Sequence, residues 1–98
     1  MSGIKYDAGK PKIHLIPKEA LDMMAQALEY GAVKYDKRNY ENGIEYTKLV
    51  DATLRHIIKW MHKQDLDDES GLNHVSHALA NLSMLAYMIH NKKEFDDR

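Results

Sequence analysis

Three stretches of the chain place their apolar residues at the spacing of an amphipathic helix. The first opens at Pro17, and its apolar positions are Ala20, Leu21, Met24, Leu28, Gly31 and Tyr35. The second has Thr47 as a candidate cap and Gln64 as its expected end. Its predicted buried face consists of Val50, Leu54, Ile57, Ile58 and Met61. The pattern therefore predicts two helices joined by residues 36–46, where Asn42-Gly43 is a strong turn signal.

A third helix follows the acidic turn at residues 65–72. Asn73 is its candidate cap, and the helix is expected to run to about Asn91. Its main apolar arc consists of Val75, Ala78, Leu79, Leu82, Leu85, Ala86 and Ile89. Ala80, Met84 and Met88 lie outside this arc, so the helix is apolar on more than one side. Because three helices cannot cover so much apolar surface, we expect homo-oligomerisation to complete the bundle.

The two ends of the chain lack helical periodicity. Residues 1–16 contain Gly3, Gly9 and Pro11, which indicates an ordered or looped N-terminal arm. Residues 92–98 are expected to be a frayed tail. Ninety-eight residues are enough for one domain, so we predict a single all-α domain over 1–98, a small bundle of three main helices.

Composition excludes several classes of protein. The absence of cysteine excludes a disulfide scaffold, a thiolate zinc site and a cysteine nucleophile. No apolar run is long enough to span a membrane and no secretory signal is present, so we expect a cytoplasmic protein without a membrane partner. A net charge of −1 gives no overall attraction to polymeric nucleic acid. Charge is unevenly distributed, since residues 1–64 are net basic and residues 65–98 net acidic.

Polar residues on the second and third helices are candidates for ligand binding. His74, His77 and Asn81 follow one another at spacings of three and four, so their side chains share one line along the third helix. Imidazoles in this arrangement can bind a metal or hydrogen-bond a phosphate or a base edge, although each can also be a structural residue. On the second helix, His56, Trp60 and Lys63 combine a polar group, a stacking surface and a cation.

Two further segments could handle phosphate or metal. In the acidic turn, Asp67, Asp68 and Glu69 are candidate ligands for Mg²⁺, which prefers oxygen, and helix capping is the alternative explanation. Near the N-terminus, Lys5 and Lys10 flank a glycine, and Lys34 with Arg38 forms a second basic pair. The second glycine and the GK[ST] ending of a phosphate-binding P-loop are missing, and there is no GxSxG, HExxH or GxGxxG motif.

With these residues assembled, the chain resembles the bacteriophage-encoded family of dATP/dGTP diphosphohydrolase N-terminal domains. The matching segments are KYDAGKPK (5–12), LIPKEAL (15–21), YGAVKYDKRNY (30–40), LRHIIKW (54–60) and DDESGLNHVSHALANL (67–82). The resemblance implies a phage or prophage origin, an all-α fold and a purine deoxynucleotide ligand. The motif positions it carries over are Lys5, Asp7, Gly9, Lys10, Lys34, Arg38, Asn39, His56, Asp67, Glu69, Ser70, His74, His77 and Asn81. Tyr40 stands where tryptophan is expected, which preserves a stacking role.

Three functions remain open from the sequence. The broader all-α nucleotide pyrophosphohydrolases hold Mg²⁺ with ExxE and ExxD pairs on neighbouring helices. Here the second and third helices carry no such pair, and the ExxD of the first helix is Glu19-x-x-Asp22. This departure favours a non-catalytic sequestering (sponge) protein that needs no cofactor and captures a nucleotide signal of host defence. The alternative is an Mg²⁺-dependent dATP/dGTP diphosphohydrolase with His74 or His77 as general base and metal at residues 67–69. The third is an oligomeric protein-binding scaffold, which would leave the histidine line without a purpose.

Overall fold

A computed structural model describes residues 2–98, and over these residues every regular element is helical. Helix α1 spans Lys18–Lys34, α2 spans Tyr46–Met61 and α3 spans His74–Asn91. Short 3-10 turns lie at Ile13–Leu15, Asn39–Asn42 and Lys93–Phe95. Helices α1 and α2 both pack along α3. The prediction of an all-α fold with three main helices is confirmed.

The ends of α3 agree with the prediction and those of α2 do not. The Asn73 side chain accepts a hydrogen bond from the Val75 amide at 2.8 Å, so Asn73 caps α3 as expected. Helix α2 follows Glu45 and ends at Met61, so the predicted cap at Thr47 and end at Gln64 are wrong. Thr47 lies inside the first turn, where its amide and hydroxyl donate to the Asp97 carboxylate.

The core forms where α2 meets the second half of α3. Tyr46, Leu49 and the fully buried Met88 make its centre. The Tyr46 hydroxyl donates to the Met88 backbone carbonyl at 3.1 Å, which satisfies a polar group inside this apolar contact. The side chains packed around the centre are Tyr40, Ile44, Met84, Leu85, Tyr87 and Phe95.

The buried face of α2 differs from the predicted one. The predicted apolar stripe, Val50, Leu54, Ile57, Ile58 and Met61, is 36–65% exposed. The face of α2 turned inward carries Leu49, Thr53 and His56, of which the last two are polar. Thr53 satisfies its hydroxyl on the Leu49 carbonyl and His56 bonds to His74, so these polar side chains are buried without loss of hydrogen bonds.

Exposed apolar surface lies on α2 and also on α3, where Leu82 and Ile89 are each 48% exposed. Ala80 and Met88 are buried, and Met84 packs against the core, although these residues were expected to form an extra exposed face. None of the helices described within residues 2–98 has the length and hydrophobicity that a membrane crossing requires.

Residues 92–98, which were expected to be a frayed tail, are mostly exposed but contact the rest of the chain through Phe95 and Asp97. The Lys93–Phe95 turn places the Phe95 ring directly over Gly43, whose φ of 104° and missing Cβ permit this close approach. The Asp97 carboxylate joins the same segment to Thr47 at the start of α2. At the other end of the chain, residues 2–16 are exposed throughout.

Replacing Phe95 with alanine tests whether the tail is docked. We expect Phe95→Ala to lower the free energy of unfolding by about 2 kcal/mol, less than for a fully buried ring because Phe95 is only half-buried. Urea unfolding followed by circular dichroism measures the change. Glu94→Ala, an exposed neighbour, is the control and should stay within about 0.5 kcal/mol of wild type. Equal stability of the two variants would mean that the tail does not contribute to the core.

Candidate functional site

A cavity of about 640 Å³ lies between α1, the Asn39–Asn42 turn and α3, with α2 at its back. This volume is within the range of small-molecule binding sites. Its polar, charged and aromatic lining consists of Glu29, Tyr30, Lys34, Tyr35, Asp36, Lys37, Arg38, Asn39, Tyr40, His56, Asp67, Glu69, His77 and Asn81. Basic, acidic, amide and aromatic groups therefore face one space.

Three histidines from two helices form one cluster at this cavity. The Nδ1 atoms of His56 on α2 and His74 on α3 are 2.8 Å apart. The His56 ring stacks on the His77 ring with centroids 4.8 Å apart, and Tyr30 of α1 meets the other side of His77 edge-on at 6.0 Å. His74 is 2% exposed, whereas His56 and His77 line the cavity. The cluster thus extends from the interior to the cavity wall.

Burial keeps the imidazoles of His56 and His77 uncharged. It lowers the pKa of His56 to about 4, and the neighbouring His77 and His74 act in the same direction. Burial also lowers the pKa of His77, against the opposing effect of the Asp67 carboxylate. At neutral pH both rings are therefore neutral, and each has a nitrogen lone pair that can accept a proton or bind a metal.

The turn before α3 holds an acid and a hydroxyl against this cluster. Asp67 Oδ2 accepts hydrogen bonds from the backbone amides of Glu69 and Ser70 at 3.1 and 2.9 Å. Burial raises the pKa of Asp67, but the bonds from Ser70 outweigh it and leave that pKa below its usual value. Ser70 Oγ lies 2.6 Å from Nε2 of His77, and Asp67 Oδ2 lies 4.0 Å from the same nitrogen.

An ion pair joins α1 to this turn beside the cavity. The Lys34 ammonium lies 2.8 Å from the Glu69 carboxylate, and both side chains are substantially exposed. The hydrogen bond between them raises the pKa of Lys34 and lowers that of Glu69. Burial, followed by the negative charge of Glu69, raises the pKa of Tyr30 above its usual value. A ligand that enters here meets a lysine already paired with a carboxylate.

Many of the residues singled out from the sequence meet at this site. Those that line the cavity are Lys34, Arg38, Asn39, Tyr40, His56, Asp67, Glu69, His77 and Asn81. Ser70 and His74 lie behind it and bond to His77 and His56.

Other candidates lie outside the cavity lining, namely Lys5, Asp7, Gly9, Lys10, Trp60, Lys63 and Asp68. The exposed arm residue Asp7 faces Lys12 at 3.6 Å. Trp60 is 41% exposed, and neither it nor Lys63 lines the cavity that His56 lines. Of the three acidic residues expected to hold a metal, Asp67 and Glu69 line the cavity, whereas Asp68 is exposed and does not line it.

The sequence reasoning missed Tyr30, Tyr35 and Lys37. Tyr30 carried a usable signal, because it precedes Lys34 by four residues and so shares its helix face. No sequence signal indicated the unusual backbone conformation of Arg38. Its φ of 57° is left-handed, a conformation that non-glycine residues adopt rarely and mostly where the surrounding structure or a function requires it.

Comparison with known proteins agrees with the resemblance seen in the sequence. The family model described as "dATP/dGTP diphosphohydrolase, N-terminal" matches residues 1–98. A dATP/dGTP diphosphohydrolase of Salmonella phage PMBT28 is 36% identical over 98 residues, which cover 100% of this chain and 33% of the phage protein. The chain thus spans about a third of the length of this relative. No solved structure matches. The chain therefore belongs to the dATP/dGTP diphosphohydrolase N-terminal family.

Proposed function

We propose that the chain binds a phosphorylated purine nucleotide in the cavity between α1 and α3. The observation that carries this proposal is the lining itself, which combines tyrosines, cations, amides and neutral histidines around about 640 Å³. The phage relative carries the name of an enzyme that acts on dATP and dGTP, which supports a purine deoxynucleotide as the ligand. The proposed place of action is the cytoplasm of an infected bacterial host.

Each class of lining group suits one part of a nucleotide. Lys37 and Arg38 are exposed cations at the cavity. Arg38 makes one long ion pair, to Glu41 at 3.9 Å, and its other guanidinium nitrogens can pair with phosphate. The rings of Tyr30 and Tyr40 offer surfaces on which a purine can stack. The Asn81 amide can donate to and accept from a base edge.

We propose that the nucleotide is bound without being cleaved, and the positions and partners of the carboxylates support this form of the proposal. Glu19 and Asp22, which make the ExxD pair of α1, lie outside the cavity lining, and Asp22 pairs with Lys18. At the cavity, Glu69 is paired with Lys34 and Asp67 with backbone amides. Capture of a nucleotide signal used in host defence would suit a relative of a phage protein.

Hydrolysis is the second candidate, and one contact favours it. His77 is neutral, hydrogen-bonds Ser70 at 2.6 Å and lies 4.0 Å from the Asp67 carboxylate. A neutral imidazole held in this way at a cavity wall can take the proton of a water that attacks a phosphate. With a divalent metal such as Mg²⁺ to offset the phosphate charge, dATP or dGTP would yield the monophosphate and pyrophosphate.

Equilibrium dialysis against dATP and dGTP tests the binding site. We expect Arg38→Gln to raise Kd about tenfold, equivalent to about 1.4 kcal/mol, because a charged phosphate contact is lost. Glutamine and arginine are both unbranched at Cβ, so the strain of the left-handed backbone at position 38 is matched. Arg55→Gln, on the exposed side of α2, is the control and should bind like wild type. No binding by wild type, or the same loss in both variants, would contradict the proposed site.

The same samples, prepared with and without Mg²⁺, are then heat-denatured and chromatographed. This shows whether the bound nucleotide is intact or cleaved. Intact nucleotide released on heating supports sequestration. New monophosphate and pyrophosphate, lost in His77→Asn, support hydrolysis and contradict sequestration. A chain that neither retains nor cleaves either nucleotide contradicts both and favours the protein-binding scaffold.

We further propose that the chain associates with copies of itself through the exposed stripe on α2, Val50, Leu54, Ile57, Ile58 and Met61. Contiguous apolar patches of this kind mark interaction surfaces. Light scattering should give a mass above 11.3 kDa for wild type and about 11.3 kDa for the double variant Leu54→Glu, Ile58→Glu. Gln26→Glu, on the exposed face of α1, adds a charge elsewhere and should leave the mass unchanged. A monomeric wild-type chain would contradict this association.

A further inference from the structure

The histidine cluster includes a set of metal-ligand atoms that the proposed function does not require. One ligand atom each from His56, Asp67 and His74 lies within 4.8 Å of the other two. His56 and Asp67 line the cavity, and His74 is buried directly behind His56. We propose that these three side chains bind one divalent transition-metal ion and leave a coordination position open toward the cavity.

The spacing of the two imidazoles suits such an ion after a small movement. Their Nδ1 atoms are 2.8 Å apart, the distance of a hydrogen bond. In a tetrahedral zinc site with Zn–N bonds of about 2.05 Å, two nitrogen ligands are about 3.3 Å apart. A separation of the rings by about half an ångström therefore converts the hydrogen-bonded pair into a ligand pair. One ring belongs to α2 and the other to α3, so the ion would join the two helices.

The third ligand is held in place before any ion binds. Two backbone amides of the turn donate to Asp67 Oδ2, which fixes the carboxylate beside the histidines. These two bonds do not use Oδ1, which can face an ion. Hydrogen bonds that orient a carboxylate ligand in this way raise metal affinity.

The neighbouring side chains also fix the orientation of one ligand. His77 stacks on His56 and is itself held by Ser70, so the His56 ring has a fixed plane.

The donor set indicates which metals fit. Two imidazole nitrogens and one carboxylate oxygen suit Zn²⁺, Co²⁺ or Mn²⁺, whereas Mg²⁺ prefers an all-oxygen shell. The site also differs from the acidic trio considered from the sequence, because Glu69 is paired with Lys34 and Asp68 is exposed. An ion with three protein ligands keeps a position for an oxygen of water or phosphate.

Metal binding by the full, untagged chain tests this inference without any nucleotide. Protein stripped with a chelator is dialysed against Co²⁺, whose visible absorption reports the ligand geometry, and in parallel against Zn²⁺ for elemental analysis. We expect one ion per chain. Asp67→Asn should weaken binding by at least about 100-fold, since it removes a charged ligand. Its amide oxygen can still accept the two backbone bonds, so the turn should keep its fold.

His56→Gln is the second ligand variant and should also lose the Co²⁺ absorption. His90→Gln is the matched control, because His90 is an exposed histidine at the far end of α3. Thermal melts by circular dichroism confirm that each variant is folded. Failure of the wild-type chain to bind one ion, or equal binding by all the variants, would overturn the inference.

The metal assay and the nucleotide assay test the two proposals separately. A chain that binds one ion but no nucleotide supports the metal site and contradicts the proposed function. A chain that binds nucleotide but no Zn²⁺ or Co²⁺ does the reverse.

Discussion

Three imidazoles lie where α2 meets the start of α3. The desolvation cost of burying them determines which groups must lie around them. A buried polar ring must be hydrogen-bonded, because leaving it unpaired costs several kcal/mol of desolvation at order of magnitude. His56 and His74 meet this requirement through each other, and His77 meets it through Ser70. The bond between Ser70 and His77 requires the turn at residues 65–72 to fold back on α3. The same fold of the turn brings Asp67 to the cluster.

The two halves of α3 consequently have different roles. Met88 and its neighbours in the second half make the apolar core with Tyr46 and Leu49 of α2. The first half carries the histidines and Asn81 beside the cavity. The cavity wall is continuous with this core, because Ile44, Leu49 and Met84 belong to both. Helix α1 closes the site by placing Tyr30 against His77 and Lys34 against Glu69.

Features that depend on nearby residues could be read from the sequence. The Asn73 cap and the shared face of His74, His77 and Asn81 follow from spacing along one helix, and the structure has both Asn73 in its capping role and His77 with Asn81 at the cavity. The buried face of α2 could not be predicted, because an apolar pattern predicts burial and the apolar stripe of this helix is exposed. Its inward face instead includes Thr53 and His56, which are buried only because partners on the backbone and on α3 satisfy them.

Contacts between residues far apart in the chain could not be predicted from the sequence either. Phe95 packs over Gly43, and Tyr30 reaches His77, across about half the chain in each case. No local pattern encodes such pairs. The exposed apolar stripe on α2 has no partner within the described residues of a chain that spans about a third of its phage relative.

The central claim is that the cavity between α1 and α3 is the ligand site, and a titration of the ¹⁵N-labelled chain with dGTP, followed by amide chemical shifts, tests it most directly. The account predicts that the shifts concentrate at the cavity residues Tyr30, Asn39, His77 and Asn81. Leu54 and Ile58, on the exposed side of α2, should stay unchanged. Shifts confined to α2, or none at nucleotide concentrations in the millimolar range, would contradict the account.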